Sequence, residues 1–310
     1  MKKDVNITID FAGLKLASPV FTASGTCGYA DELADFMDIN ALGGFITKSI
    51  TLLPRKGNPT PRVVETDAGM LNAIGLANIG LEQFIKEKIP LLEKMSAAIF
   101  VNVAGQKIEE YVQVTAELAK QPAIAGFELN ISCPNVAKGG VHFGTDPAGV
   151  RRITEEVKKA AADKVLMVKL TPSVTDISVI AEAAVAGGAD ALSLVNTFTA
   201  MAIDTEKRRC VLANRTGGLS GPAIKPMAIY LVNKVYNEVT KKSGIPILGL
   251  GGIKNASDAI EFMLAGASAV ALGTYNFIQP ARAIEIVDGI GEYCRRNGFD
   301  NVHQLTGALE

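Results

Sequence analysis

The sequence predicts a closed (β/α)8 TIM barrel with an N-terminal β-hairpin and long loops over its C-terminal face, on three observations. Eight short β-rich runs recur along the chain, most followed by a helix-length stretch, and this alternation builds a parallel sheet with crossover helices. The runs are almost continuously apolar, as in Ala98-Ile-Phe-Val-Asn-Val103, the pattern of strands covered on both faces. The chain has 310 residues, 48% hydrophobic and 20% charged, enough for a large core and a length that fits one α/β barrel as well as two ordinary domains; the eight units and the absence of a linker favour one barrel domain spanning 1–310.

Taken in order, Val5–Ile9 and Leu14–Ala17 flank Asp10-Phe-Ala-Gly13 and read as a hairpin closing the barrel bottom. The eight core runs follow as Pro19–Gly25, Gly43–Ile50, Ala98–Gly105, Gly126–Pro134, Leu166–Pro172, Ala191–Thr197, Ile245–Ile253 and Ala269–Asn276. Helical stretches between them include Gly80–Lys94, Lys107–Lys120, Asp146–Asp163, Asp176–Ala186, Pro222–Lys242 and Ala256–Ala265. Two connections, Thr51–Gly80 and Phe198–Gly221, are too long for simple turns. Both leave C-terminal strand ends, where barrel enzymes build their active sites, so each is a candidate lid or substrate loop.

The 31 basic and 32 acidic residues are dispersed along the chain and give a formal net charge of -1, which supplies no footprint for nucleic acid or an anionic membrane. No run of eighteen apolar residues offers a membrane span, and the start lacks a signal-peptide pattern, so a cytoplasmic protein with a small-molecule partner is expected. The four cysteines, Cys27, Cys133, Cys210 and Cys294, form no CxxC pair, which argues against a zinc or iron–sulfur site in this chain. With only His142 and His303 available, acid–base work falls to other side chains.

Asparagine is depleted in strands, yet Asn102, Asn130 and Asn196 fall near the ends of runs three, four and six. Each could cap a loop; together they could hold the edge of a planar heterocycle, because an amide both donates and accepts. Lys48 and Lys169 stand in apolar runs, where a lysine is costly without an anion. An internal pair with Glu128 would satisfy that need, as would a carboxylate ligand or an anionic reduced flavin. Gly251 and Gly252 end run seven, and Gly273-Thr274 ends run eight, positions where backbone N–H groups hold phosphate unless the glycines merely make turns. Cys133 emerges from run four on a segment containing Pro134 and several glycines, suited either to a catalytic thiol or to an inert buried one.

The strings Asn130-Ile-Ser-Cys-Pro-Asn-Val136, Asn214-Arg-Thr-Gly-Gly-Leu-Ser-Gly-Pro-Ala-Ile-Lys-Pro226 and Asn72-Ala-Ile-Gly-Leu76 resemble the class 1 dihydroorotate dehydrogenases over nearly the whole chain. The lack of an N-terminal membrane-binding extension, and Cys133 where class 2 members have serine, separate it from class 2. Cys-Pro-Asn-Val-Ala-Lys-Gly-Gly140 and the Asn214 segment are similar to subclass 1B, while Ala200 departs from a position where relatives often carry glycine. The resemblance implies oxidation of dihydroorotate to orotate in pyrimidine (UMP) biosynthesis, with FMN as hydride acceptor and Cys133 as base.

Carried over by motif, Ser24, Lys48, Ser49, Asn102, Asn130, Lys169, Val195, Gly221, Gly251, Gly252, Gly273 and Thr274 would surround FMN. Lys48, Asn72, Ala73, Ile74, Gly75, Leu76, Asn130, Asn196 and Thr197 would hold the substrate. Subclass 1B further implies a homodimer flanked by two partner subunits carrying FAD and a [2Fe-2S] cluster, which pass electrons to NAD. The competing expectations are a flavin barrel for uncharged dihydropyrimidines, a flavin-free aldolase or isomerase for a sugar phosphate, and a scaffold without catalysis.

Overall fold

The computed structural model describes residues 5–132 and 143–310. Eight parallel strands close into a barrel: β1 (Val20–Thr22), β2 (Gly44–Ile46), β3 (Ala98–Val103), β4 (Ile124–Asn130), β5 (Val165–Lys169), β6 (Ala191–Leu194), β7 (Ile247–Leu250) and β8 (Ala269–Leu272). They pair in chain order, and β8 returns to β1 with Val270 opposite Val20. Each is followed by a helix: α1 (Asp31–Ala34), α2 (Gly80–Glu87), α3 (Ile108–Ala119), α4 (Pro147–Ala160), α5 (Ile177–Ala186), α6 (Lys225–Val235), α7 (Ala256–Leu264) and α8 (Arg282–Asn297). The predicted class is therefore the observed one.

Side-chain chemistry explains several helix starts. Asp146, Asp176 and Asn255 accept backbone N–H bonds from Gly149, Ser178 and Asp258, satisfying donors that a helix cannot pair internally. Phe11, Phe21 and Phe100 lie fully buried, with ring centroids 5.6 and 5.8 Å apart, and fill the lower barrel. Their bulk dictates glycine opposite: a Cβ at Gly44 would sit 2.2 Å from the Phe21 ring, and one at Gly126 would sit 2.6 Å from the Phe100 ring.

Several boundaries differ from those expected. The hairpin strands are Ile9–Phe11 and Leu14–Leu16, because Ala12 (φ 53°) and Gly13 (φ 86°) alone make the turn and Phe11 joins the core. The stretch Gly80–Lys94 breaks at Lys88, before a short helix Ile89–Leu92. Pro222–Lys242 is four pieces, a 3₁₀ turn, α6, a π segment at Tyr236–Thr240 and a last helical turn. The fourth barrel strand ends at Asn130, four residues before Pro134.

The two long loops form a joint structure. Strands Val63–Thr66 and Gly69–Asn72 from the loop after β2 pair with Gly217–Ser220 and Phe198–Ala200 from the loop after β6, in one antiparallel sheet. In an eight-strand ring β2 and β6 are opposite, so this sheet joins the two sides of the mouth. Buried Leu71, Ala73 and Leu212, with Val64, Ala200, Ala202 and Leu219 against them, give it a small apolar core separate from that of the barrel.

Candidate active site

In the barrel centre, polar groups gather that the strand pattern alone would make costly. Glu128 is fully buried on β4; its Oε1 accepts from Ser193 Oγ at 2.9 Å, and its Oε2 from Asn102 Nδ2 at 2.5 Å and Lys169 Nζ at 3.4 Å. Lys169 Nζ also donates to Ser24 Oγ at 3.0 Å. Ser24 follows β1 and Lys169 ends β5, on opposite sides of the ring, so their contact crosses the barrel interior. Residues two apart on a strand share a face, which places Asn130 on the Glu128 face, nearer the C-terminal mouth.

Asn102 receives Ser49 Oγ at 2.5 Å and Asn130 Nδ2 at 3.4 Å on its Oδ1. This network therefore unites Ser24, Ser49, Asn102, Asn130 and Lys169 from the sequence-derived set. It also resolves the Glu128 alternative: Lys169 takes that partner and Lys48 does not. Ser193 and Tyr111, whose hydroxyl donates to the Asn130 carbonyl at 2.9 Å, belong to the same support and carry no sequence signal beyond being polar groups in apolar elements.

A second group lies across the mouth. Gly251 and Gly252 after β7 have φ of 136° and 83°, and a Cβ at Gly252 would come within 2.8 Å of the Gly221 carbonyl oxygen. The left-handed backbone and this close approach both demand glycine. Thr274, which opens a 3₁₀ turn after Gly273, donates to Ser220 Oγ at 2.8 Å. Gly221, Gly251, Gly252, Gly273 and Thr274 are thereby linked around a partly open, backbone-rich surface. Val195 is buried between the two groups, after a cis Leu194-Val195 peptide, and its N–H donates to the Leu250 carbonyl at 2.9 Å.

Asn72 ends an inner strand of the mouth sheet, and residues 73–76 continue beyond it. Asn58 holds them, with Nδ2 donating to the Ala73 carbonyl at 3.0 Å and its N–H to that of Ile74 at 3.0 Å. Asn78 then bonds Thr51 Oγ1 and the Leu76 carbonyl, each at 2.8 Å. Neither asparagine was marked by the sequence, because asparagine in a loop is ordinary. Half-buried Lys48 lies nearby; burial first, then the Arg62 charge, hold its ammonium below the usual lysine range, while Glu32 pulls the other way. The two cations make this edge attractive to an anion.

The loop-capping alternative is realised in part. Asn196 Oδ1 accepts from the Thr197 N–H at 2.8 Å and Asn130 Oδ1 from the Ser132 N–H at 3.3 Å, so each spends one amide atom on its own backbone. Thr197 stacks under the mouth sheet, where a Cβ at Gly218 would lie 2.0 Å from its Oγ1. Cys133 and His142 lie outside the described residues. Among the described residues, no three His, Cys, Asp or Glu side chains cluster as metal ligands, and no helix is long and apolar enough to cross a membrane.

A barrel with cations and amides at the ends of β2–β5, and glycines at the ends of β7 and β8, has the anatomy of an enzyme whose site lies at the C-terminal mouth. Comparison with known proteins narrows this. The dihydroorotate dehydrogenase family profile matches residues 6–293. The chain is 51% identical over 310 residues to the protein of Pelobacter propionicus named dihydroorotate dehydrogenase B (NAD(+)), catalytic subunit, covering 100% of both chains. Proteins of the same name from Geotalea daltonii and Parabacteroides distasonis are 50% and 48% identical, over 98% of each chain. The chain belongs to the dihydroorotate dehydrogenase family, a family of oxidoreductases, and within it is similar to the B-type catalytic subunits.

Proposed function

We propose that this chain binds FMN and oxidises dihydroorotate to orotate in pyrimidine biosynthesis. The observation that carries the reading is the buried Lys169, in reach of Ser24 and Glu128 and beside the Asn102–Asn130 amides, opposite a glycine cradle at the ends of β7 and β8. These residues fit the cofactor: Gly251, Gly252 and Gly273 put no side chain at the ends of β7 and β8, which lets backbone N–H groups approach a phosphate, and the amides and lysine suit a polar heterocycle.

FMN, when bound, supplies the redox chemistry by accepting the hydride that leaves dihydroorotate C6. The chain supplies position, charge and a proton acceptor. Gly221, Gly251, Gly252, Gly273 and Thr274 would hold the phosphate, and Ser24, Ser49, Asn102, Asn130, Lys169 and Val195 the ring. Lys48 would serve both ligands; with Asn72 to Leu76, Asn130, Asn196 and Thr197 it would fix the substrate carboxylate and pyrimidine edges. Cys133 would take the proton from C5. An ordinary thiol has a pKa of about 8.5, so a thiolate base makes the rate rise toward alkaline pH unless its surroundings lower that value.

The relatives' title of catalytic subunit supports a partner. In this reading a homodimer of the chain carries two partner subunits with FAD and a [2Fe-2S] cluster, which deliver electrons to NAD. The deciding experiment is an anaerobic visible spectrum of the purified protein before and after dihydroorotate. Prompt bleaching of a yellow flavin is the expected result; a flavin bleached by dihydrouracil and not by dihydroorotate would reject the substrate. Cys133→Ser should retain FMN and lose most oxidation, and unchanged turnover would remove Cys133 from the role of base.

A further inference from the structure

Glu128 contacts neither the mouth nor solvent, yet Asn102, Lys169 and Ser193 all donate to it, and Ser24, Ser49 and Asn130 join through them. Its two carboxylate oxygens receive three donors, from β3, β5 and β6. Because Asn102 spends Nδ2 on Glu128, its Oδ1 must face Ser49 and Asn130; the carboxylate thus decides which way that amide points. The pairing with Lys169 is loose by comparison. At 3.4 Å it is longer than the 2.5 Å of Lys158–Asp190 or the 2.7 Å of Lys225–Asp258, although both partners are almost fully buried. An ammonium has three donors, and Ser24 and Glu128 take two, so among the described residues one remains for a ligand.

We propose that Glu128 is a positioning residue of the flavin site: its carboxylate orients Asn102 and shares the Lys169 ammonium, and so sets the reduction potential of the bound flavin. The inference rests on the FMN reading above. A lysine beside a flavin favours the electron-rich reduced form, and a carboxylate sharing that lysine offsets the effect. In the dry centre of a barrel neither charge is screened as it would be in water, so the offset is large enough to measure.

The test is chemically clean because glutamine can satisfy the same network. Its amide oxygen can accept from Asn102 and Lys169, while its NH2 faces Ser193 Oγ, which then turns from donor to acceptor. Glu128→Gln therefore removes the charge and keeps the hydrogen bonds. Ser193→Ala does the converse, since it keeps the charge, removes one donor and leaves the carboxylate more strongly drawn to Lys169.

The measurement is the FMN midpoint potential of the reconstituted holoprotein, by dye-equilibrated reduction, with FMN affinity of the apoprotein titrated beside it. Glu128→Gln is expected to bind FMN one to one and to favour the reduced form by at least tenfold, a shift of about 30 mV to more positive potential for two electrons. Ser193→Ala is expected to move the potential the other way. A Glu128→Gln holoprotein at the wild-type potential would overturn the proposal. If that variant yields no folded protein, Ser193→Ala decides alone: a lowered potential supports the proposal, and an unchanged or raised one overturns it. Wild-type protein that takes up no FMN would defeat the FMN reading together with this inference, whereas unshifted potentials in FMN-loaded variants defeat this inference and leave that reading standing.

Discussion

Cys27 is a thiol that the candidate chemistry does not use. Burial pushes it up to about 11, against an ordinary 9.0, although Thr26 and Asn276 hydrogen bonds partly oppose this. A thiol that holds its proton more firmly when folded stabilises the fold below its unfolded pKa, and that contribution is lost as the pH rises through the folded value. Between about pH 8 and about pH 10.5 the wild type should lose about 2 kcal/mol relative to Cys27→Ala. Urea denaturation of both proteins across that range checks it; parallel curves would refute it. Among single residues, Lys169 and Asn102 were legible because a lysine in an apolar strand demands a partner and asparagine is depleted in strands. Ser193, Asn78 and Arg62 were not, because nothing distinguishes their types from ordinary strand serines and loop asparagines or arginines.

At the scale of elements, strands and most crossovers were legible from their apolar runs, and the errors have local causes. The barrel strands came out too long since the residues beyond Asn130 or Leu250 stay apolar or small after the ladder stops. Helix α8 was missed although Ala283, Ile286, Val287, Ile290 and Cys294 bury one face at helical spacing. Two glycines dilute that pattern, and one of them, Gly289, is needed because a Cβ there would come 2.4 Å from Ala256 Cβ at the start of α7. Strand β4 makes the same demand at Gly126, where a Cβ would meet the Phe100 ring and the Val165 carbonyl, each at 2.6 Å. Gly126→Ala should therefore cost about 1–3 kcal/mol by overpacking, despite alanine's better conformational economy. Thermal unfolding would show it as a lowered Tm; a stabilised variant would mean that the ring yields.

For the whole molecule, barrel closure was legible from eight repeats, but the sheet over the mouth was not. Its two central strands, Gly69–Asn72 and Gly217–Ser220, pair across a separation of about 150 residues, as Ser220 opposite Met70, and local patterns carry no trace of such pairing. Its coherence is testable through Leu71, which is buried in the small core of that sheet. Leu71→Ala should destabilise this unit by about 2–5 kcal/mol. Hydrogen exchange should then quicken together in 63–72 and 198–220, with the barrel strands unchanged; quickening confined to 63–72 would mean that the loops act separately.

The same sheet divides the mouth as a span divides a harbour entrance. Its abutments stand at β2 and β6, so among the described residues Asn102, Asn130 and Lys169 lie on one side of it and the glycines that end β7 and β8 on the other. A guest long enough to touch both sets must lie beneath the span, held by two loops that are far apart in the chain.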